Sequence, residues 1–159
     1  MNKKVILTKI VDQLVSELEI YVKAAHAARA EATHEQSKAE NKYDTRGLEA
    51  SYLARGQSRQ AAELEQAIDQ FKKLNPSDFG PKDPIDVGAL VELQGKAEKT
   101  FYFIGPRAGG TEVTHNKHEV LVITPQSPLG QQLVGKKQGD LLQITIAGNK
   151  DDYKVVSVS

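Results

Sequence analysis

The stretch VITPQSPLGQQLVGKKQGDLLQI (Val122–Ile144) carries several conformational signals in succession. Its start belongs to EVLVITP (119–125), a β-branched run of strand character. Ser127 followed by Pro128 is the pairing of a helix cap with a first helical residue, and Gly135 stands where such a helix would stop. DLLQITIA (140–147) then reads as strand again. Working outward, VGALVEL (87–93) and KTFYFIG (99–105) precede this segment and YKVVSVS (153–159) follows it, all rich in Val, Ile, Thr, Phe and Tyr. Turn formers separate them at Gly95, Pro106–Gly110 and Gly148-Asn149. Residues 87–159 therefore predict a small, strongly bent antiparallel sheet with one short helix. Upstream, NPSDFGPKDPID holds Pro76, Pro81, Pro84 and Gly80, which predicts a linker over 76–86.

Before the linker the period changes. Leu7, Val11, Leu14, Leu18, Tyr21, Ala25, Ala28 and Ala32 recur at alternating steps of four and three, a heptad seam. Counting back from Phe71 through Ile68, Leu64, Ala61, Gln57, Ala54, Ala50 and Gly47 gives the same alternation, with Gln57 its polar exception. Both seams are bulky far from AENKYDTRGLEASY (39–52) and shrink to Ala or Gly near it. Two antiparallel helices joined there would match large with large and small with small. Residues 1–75 thus predict a coiled-coil hairpin with its tip at about 38–48, each arm about 45 Å long. A compact bundle or a dimeric coiled coil is the plainer alternative. The fold class is α+β.

The totals narrow the function classes. In 159 residues, Lys+Arg and Asp+Glu both number 21, so no net charge draws the whole chain to nucleic acid or membrane. Cysteine is absent, which removes disulfides, thiolate zinc sites and cysteine nucleophiles. MNKKVILTKIVDQL reads as neither a signal peptide nor a membrane span, because Lys9, Asp12 and Gln13 interrupt its apolar residues. The expectation is a soluble, cytoplasmic protein without a membrane partner.

Few residues offer chemistry. His115 and His118 lie three apart in THNKHE, but no further ligand pair accompanies them, so a zinc site is not expected. His26 and His34 are expected in solvent. GPRAGG (105–110) lacks the Lys-Ser/Thr ending of a phosphate loop and precedes no helix, so it reads as a hairpin loop. There remain the acids Glu40, Asp44 and Glu49 at the hairpin tip. Asp44 is placed to cap the second helix, which explains it without function. Alternatively, a slender tip presents carboxylate oxygens to a Mg²⁺ held partly by another molecule, since Mg²⁺ takes one or two carboxylates per partner and keeps waters. Lys38, Lys42, Arg46, Arg55 and Arg59 surround these acids and either neutralise them or touch a partner.

The segment 122–144 also resembles the C-terminal signature of the GreA/GreB transcription elongation factors, in which a strand leads into S-P-aliphatic, then L-[IV]-G-K and a Gly-Asp turn. Ser127, Pro128, Leu129, Leu133, Val134, Gly135, Lys136, Gly139 and Asp140 fit that signature. The preceding strands, the closing strand and the order of hairpin, linker and sheet fit as well. The resemblance implies an FKBP-like C-terminal domain that docks on RNA polymerase, with Ser127, Pro128, Gly130 and Lys136 as docking residues. It implies a hairpin entering the polymerase secondary channel, reaching the nascent RNA 3′ end. Asp44, Glu40 and Glu49 would be the catalytic tip acids, and Asp44 with Glu49 would share a Mg²⁺ with polymerase. The factor would then be no enzyme itself but a cofactor of polymerase's own transcript cleavage, a monomer or weak dimer, with DNA a further partner. In the cleavage-active family pattern, resembling G-D-x-x-E-N-x-x-Y, the acids are three apart; here Asp44 and Glu49 are five apart, and Glu40 and Asp44 four. That departure keeps open a non-cleaving channel regulator, while the FKBP-like shape raises the remoter alternative of a prolyl isomerase or chaperone.

Overall fold

A computed structural model of the chain describes residues 1–33, 46–75, 77–146 and 148–159, and side chains within 1–31, 55–75, 77–145 and 148–159. Two long helices come first, α1 (Lys3–Thr33) and α2 (Arg46–Lys73). Strands β1 (Leu90–Gln94), β2 (Lys99–Ile104), β3 (Glu112–His115) and β4 (His118–Ile123) follow, then α3 (Pro128–Leu133), β5 (Leu141–Ile146) and β6 (Asn149–Val158). The chain divides into two compact units: Met1–Gln13 with Asp69–Ser159, and Leu14–Ile68. None of the described helices is long and apolar enough to cross a membrane.

The larger unit is built on a six-stranded sheet in the order β3-β4-β2-β1-β6-β5. Its pairs are antiparallel except β2–β4, which is parallel, with Phe101 beside Val120 and Ile104 beside Ile123. The expectation of a wholly antiparallel sheet is corrected there, and the cause is β3. The chain leaves β2 through Gly105–Thr111, forms β3 at the sheet's edge, and returns as β4 in the place between them. GPRAGG therefore does not close a hairpin of neighbouring strands, as the sequence reading held; it carries the chain past one strand position.

The sheet's centre is covered on both faces, which explains why FYFI and VLVI are continuous apolar runs rather than alternating ones. On one face Leu133 of α3 joins Ile85, Val91, Leu93, Ile104, Ile123, Ile144 and Val155 in the core. On the other, Phe71 of α2 lies 6.2 Å from Phe103, ring centre to ring centre. A Cβ on Gly105 would sit 2.7 Å from Phe71 Cζ and 2.8 Å from Val122 Cγ1, so a glycine is needed for this close approach. The first turns of α1 bury Lys3, Ile6, Leu7 and Ile10. That stripe is wider than the expected heptad seam, as a helix packed within a sheet domain requires. Lys9 Nζ donates to the Thr114 carbonyl of β3 at 2.7 Å.

In the smaller unit the seam positions Ala25, Ala28, Ala61 and Ile68 are buried, and Arg29 Nη2 donates to Ser58 Oγ at 2.7 Å. Gln57, the polar seam residue, keeps its Oε1 buried without a partner among the described residues.

Candidate functional site

The segment Val122–Ile144 folds around one hydroxyl. Ser127 is extended, at φ −66° and ψ 154°, and caps α3 with Pro128 in the first turn. Its Oγ accepts from the Gly130 N–H at 3.0 Å and donates to the Thr124 carbonyl at 2.7 Å. The turn is so tight that a Cβ on Gly130 would lie 1.8 Å from the Thr124 oxygen. Gly135, at φ +90°, ends the helix, and the linker is stitched to that end. Gly135 N–H donates to the Ile85 carbonyl at 2.9 Å, and Ile85 N–H to the Lys136 carbonyl at 2.7 Å. Asp140 then caps the following turn, its Oδ2 accepting from Lys137 N–H at 2.8 Å.

The four expected docking residues separate accordingly. Gly130 is buried and the Ser127 hydroxyl is spent within the cap, whereas Pro128 and the Lys136 side chain are exposed. The sequence reading did not single out Leu141, which is 78% exposed and lines the same groove as Lys136. Strand alternation was the available signal: with Leu142 and Ile144 inside, Leu141 must face out. Gln131, Gln132, Lys136, Leu141, Leu142 and Gln143 line a groove of about 480 Å³. Its one charge is basic, so this face suits an acidic or neutral protein surface better than a basic one.

Of the tip acids, Glu40 and Asp44 lie outside the described residues, as does the expected cap by Asp44. Glu49 is near the start of α2, and its side chain lies outside the described set. His34 is likewise outside, and His26 is exposed. His115 and His118 are not in an open loop: they are opposed residues of the β3–β4 hairpin. Asn116 and Lys117 close it at φ 50° and 65°, the two left-handed residues that a tight hairpin turn needs. The His118 ring packs on Phe101, with ring centres 4.9 Å apart. Among the described residues no group of three or more His, Asp or Glu is placed to hold a metal.

Two long helices and a sheet domain with a capped short helix define a two-part α+β protein. The chain belongs to the GreA/GreB family: the family model described as transcription elongation factor, GreA/GreB, C-terminal, matches residues 80–159. Among curated relatives, transcription elongation factor GreA of Streptococcus gordonii is 31% identical over 101 residues, 62% of this chain and 59% of that protein. GreA of Clostridium botulinum is 28% identical over 80 residues, 50% of this chain and 47% of its own length. The chain thus spans 59% or less of the length of these relatives. Among solved structures, GreA factor homolog 1 (Gfh1) of Thermus thermophilus is 22% identical, covers 94% of both chains and has a TM-score of 0.40. Gfh1 of Thermus aquaticus is 24% identical over 92% of both chains, with a TM-score of 0.41.

Proposed function

We propose that this protein is a transcription elongation factor that binds RNA polymerase through its C-terminal sheet domain and inserts the helix-pair tip into the secondary channel, where it stimulates cleavage of backtracked RNA. The observation that carries this reading is the family match over 80–159, the whole sheet domain. It is supported by the exposed Lys136 and Leu141, which line one groove of that domain, and by the exposed Pro128. The two helices of 31 and 28 residues supply reach, about 46 and 42 Å at 1.5 Å per residue. Asp44, with Glu40 and Glu49, is the acid set offered to a Mg²⁺ shared with polymerase. That ion, when bound, polarises a phosphoryl oxygen and lowers the pKa of its water. The protein's own share is to deliver carboxylates to the polymerase centre, so it works as a cofactor of polymerase rather than alone.

A second reading has its own observation. The tip acids stand four and five apart rather than three, a spacing that favours a regulator using the same docking without cleaving RNA. A backtracked elongation complex with 3′-labelled RNA, given this protein and Mg²⁺, separates the two. Release of short 3′ fragments that needs polymerase and is abolished by Asp44→Asn, with binding retained, supports cleavage by this tip. Polymerase binding without fragment release makes the protein a channel regulator. No binding at all sinks both.

A further inference from the structure

A groove of about 290 Å³ lies within the larger compact unit, between the first turns of α1 and the end of α2. Leu7 and Val11 supply its apolar lining from α1, and Phe71 and Leu74 supply it from the other side. Leu7 and Phe71 are buried, but the seam position Val11 is only half-buried, as is Leu74. The apolar seam is therefore not closed over at this end of the helix pair. The polar lining is Lys4, Thr8 and Lys72, with no carboxylate. Thr8 Oγ1 is occupied locally, donating to the Lys4 carbonyl at 3.0 Å. Lys73, next to the groove, pairs with Asp69 at 2.9 Å. Lys4 and Lys72 are both exposed, and among the described residues neither ammonium has an ion-pair partner.

The helix itself does not account for Lys4. The first turn of α1 holds Lys3 and Lys4 and no acid, although a helix N-terminus favours carboxylates and disfavours ammonium groups. Lys3 has a structural use, since it is buried and donates to the Ser77 carbonyl. Lys4 has no such use, and its charge works against the helix that carries it. Lys72 differs, because a cation in the last turn of α2 complements that helix end. It nevertheless adds a second positive charge to the same groove. Two ammonium groups beside an apolar hollow without carboxylates are complementary to an apolar side chain flanked by acids. The hollow falls just below the range of small-molecule pockets, about 300–1,000 Å³, and so suits a side chain better than a cofactor. A flat lipid surface would meet the lysines but leave the hollow unfilled.

We infer that this groove docks an acidic segment of a partner protein. A leucine or aromatic side chain of that segment seats against Leu7, Val11 and Leu74, and its carboxylates pair with Lys4 and Lys72. The groove shares no residue with the one lined by Lys136 and Leu141, and the inference does not rest on the polymerase reading. The test uses the full chain and a synthetic peptide with a Leu-Phe pair between glutamates, followed by amide chemical shifts and fluorescence anisotropy. The peptide is expected to shift the Leu7, Thr8, Val11 and Leu74 amides, and to bind more weakly as salt rises. Two control peptides, one with lysines for the glutamates and one with Ala-Ala for Leu-Phe, are expected to bind at least about tenfold more weakly. Lys4→Glu is the decisive variant, because an acid in the first turn favours the helix. Its melting temperature is expected to hold or rise while peptide affinity falls about tenfold. Lys72→Gln is expected to weaken binding less, since it removes a charge without reversing it. Lys23→Glu, on α1 outside the groove, is expected to bind as wild type. Absence of shifts at the four amides at millimolar peptide overturns the inference. So does equal binding of the lysine peptide, or a Lys4→Glu variant that binds no more weakly than Lys23→Glu. Binding to anionic phosphatidylglycerol vesicles that Lys4→Glu abolishes, without any peptide binding, makes this face a lipid contact and overturns it as well.

Discussion

Gly130 and Lys3 show how single residues carry this fold. Gly130 has no room for a methyl group, since its Cβ would meet the Thr124 carbonyl at 1.8 Å, and backbone must move to admit one. Gly130→Ala is expected to cost about 2–4 kcal/mol, read as a lower urea midpoint at constant m-value. Ser127→Ala, which strands the Gly130 N–H, is expected to cost about 1–2 kcal/mol. Lys3 is buried, donates to the Ser77 carbonyl and lies 5.0 Å from the centre of the Phe79 ring. Burial pulls its ammonium below the ordinary lysine pKa of 10.5, and the Asp78 carboxylate opposes that shift. Between the lowered folded value and the unfolded one, the unfolded chain holds more protons, so stability rises with pH. Below the folded value both states are protonated, and the cost of burying the charge is fully present. Lys3→Met is expected to flatten the rise in urea midpoint as the pH approaches about 10.5.

At the scale of elements, α2 and the β3–β4 hairpin make opposite demands. The last turns of α2 anchor on the sheet through Phe71, which is 1% exposed and packed on Phe103. Phe71→Ala is expected to cost about 3–5 kcal/mol, through a cavity that the surrounding strands cannot close. The hairpin instead carries a small built-in strain, because Lys117 adopts φ 65° without being glycine. Lys117→Gly is expected to raise stability by about 0.5–1 kcal/mol, measured as a higher melting temperature. The hairpin was hard to read because β3 is only four residues long and THNKHE looks like a charged loop. The Asn at its first turn position was the signal that was there to be read. The capped α3, by contrast, was plain, since Ser-Pro at the start and Gly at the stop act within a few residues of each other.

At the scale of the whole molecule, the two compact units do not divide at the linker. Met1–Gln13 and Asp69–Lys73 cluster with the sheet, while Leu14–Ile68 clusters on its own. Replacing residues 14–68 by a short Gly-Ser loop is therefore expected to leave a domain with one cooperative urea transition and an intact near-ultraviolet spectrum. Truncation at residue 75 would instead strip Phe71, Ile6 and Ile10 from that unit and is expected to broaden or abolish the transition. Under the proposed function, the excised protein retains polymerase binding and loses any effect on RNA cleavage.

By itself the sequence determined the local and periodic features: two heptad seams, a proline-rich break, β-branched strands, and the Ser127–Gly135 helix with its cap and stop. These depend on residues near one another along the chain, through spacing and backbone preference. Most of the signature shared with the family proved to have a structural use, with Leu133 in the core, Gly135 and Gly139 at positive φ, and Asp140 capping a turn. Only the tertiary structure decided that β4 lies parallel to β2, that the helix ends belong with the sheet, and that β5 takes the sheet's outer position. Those outcomes follow from which strands and faces cover one another, and strand order is set by contacts between residues far apart in the chain.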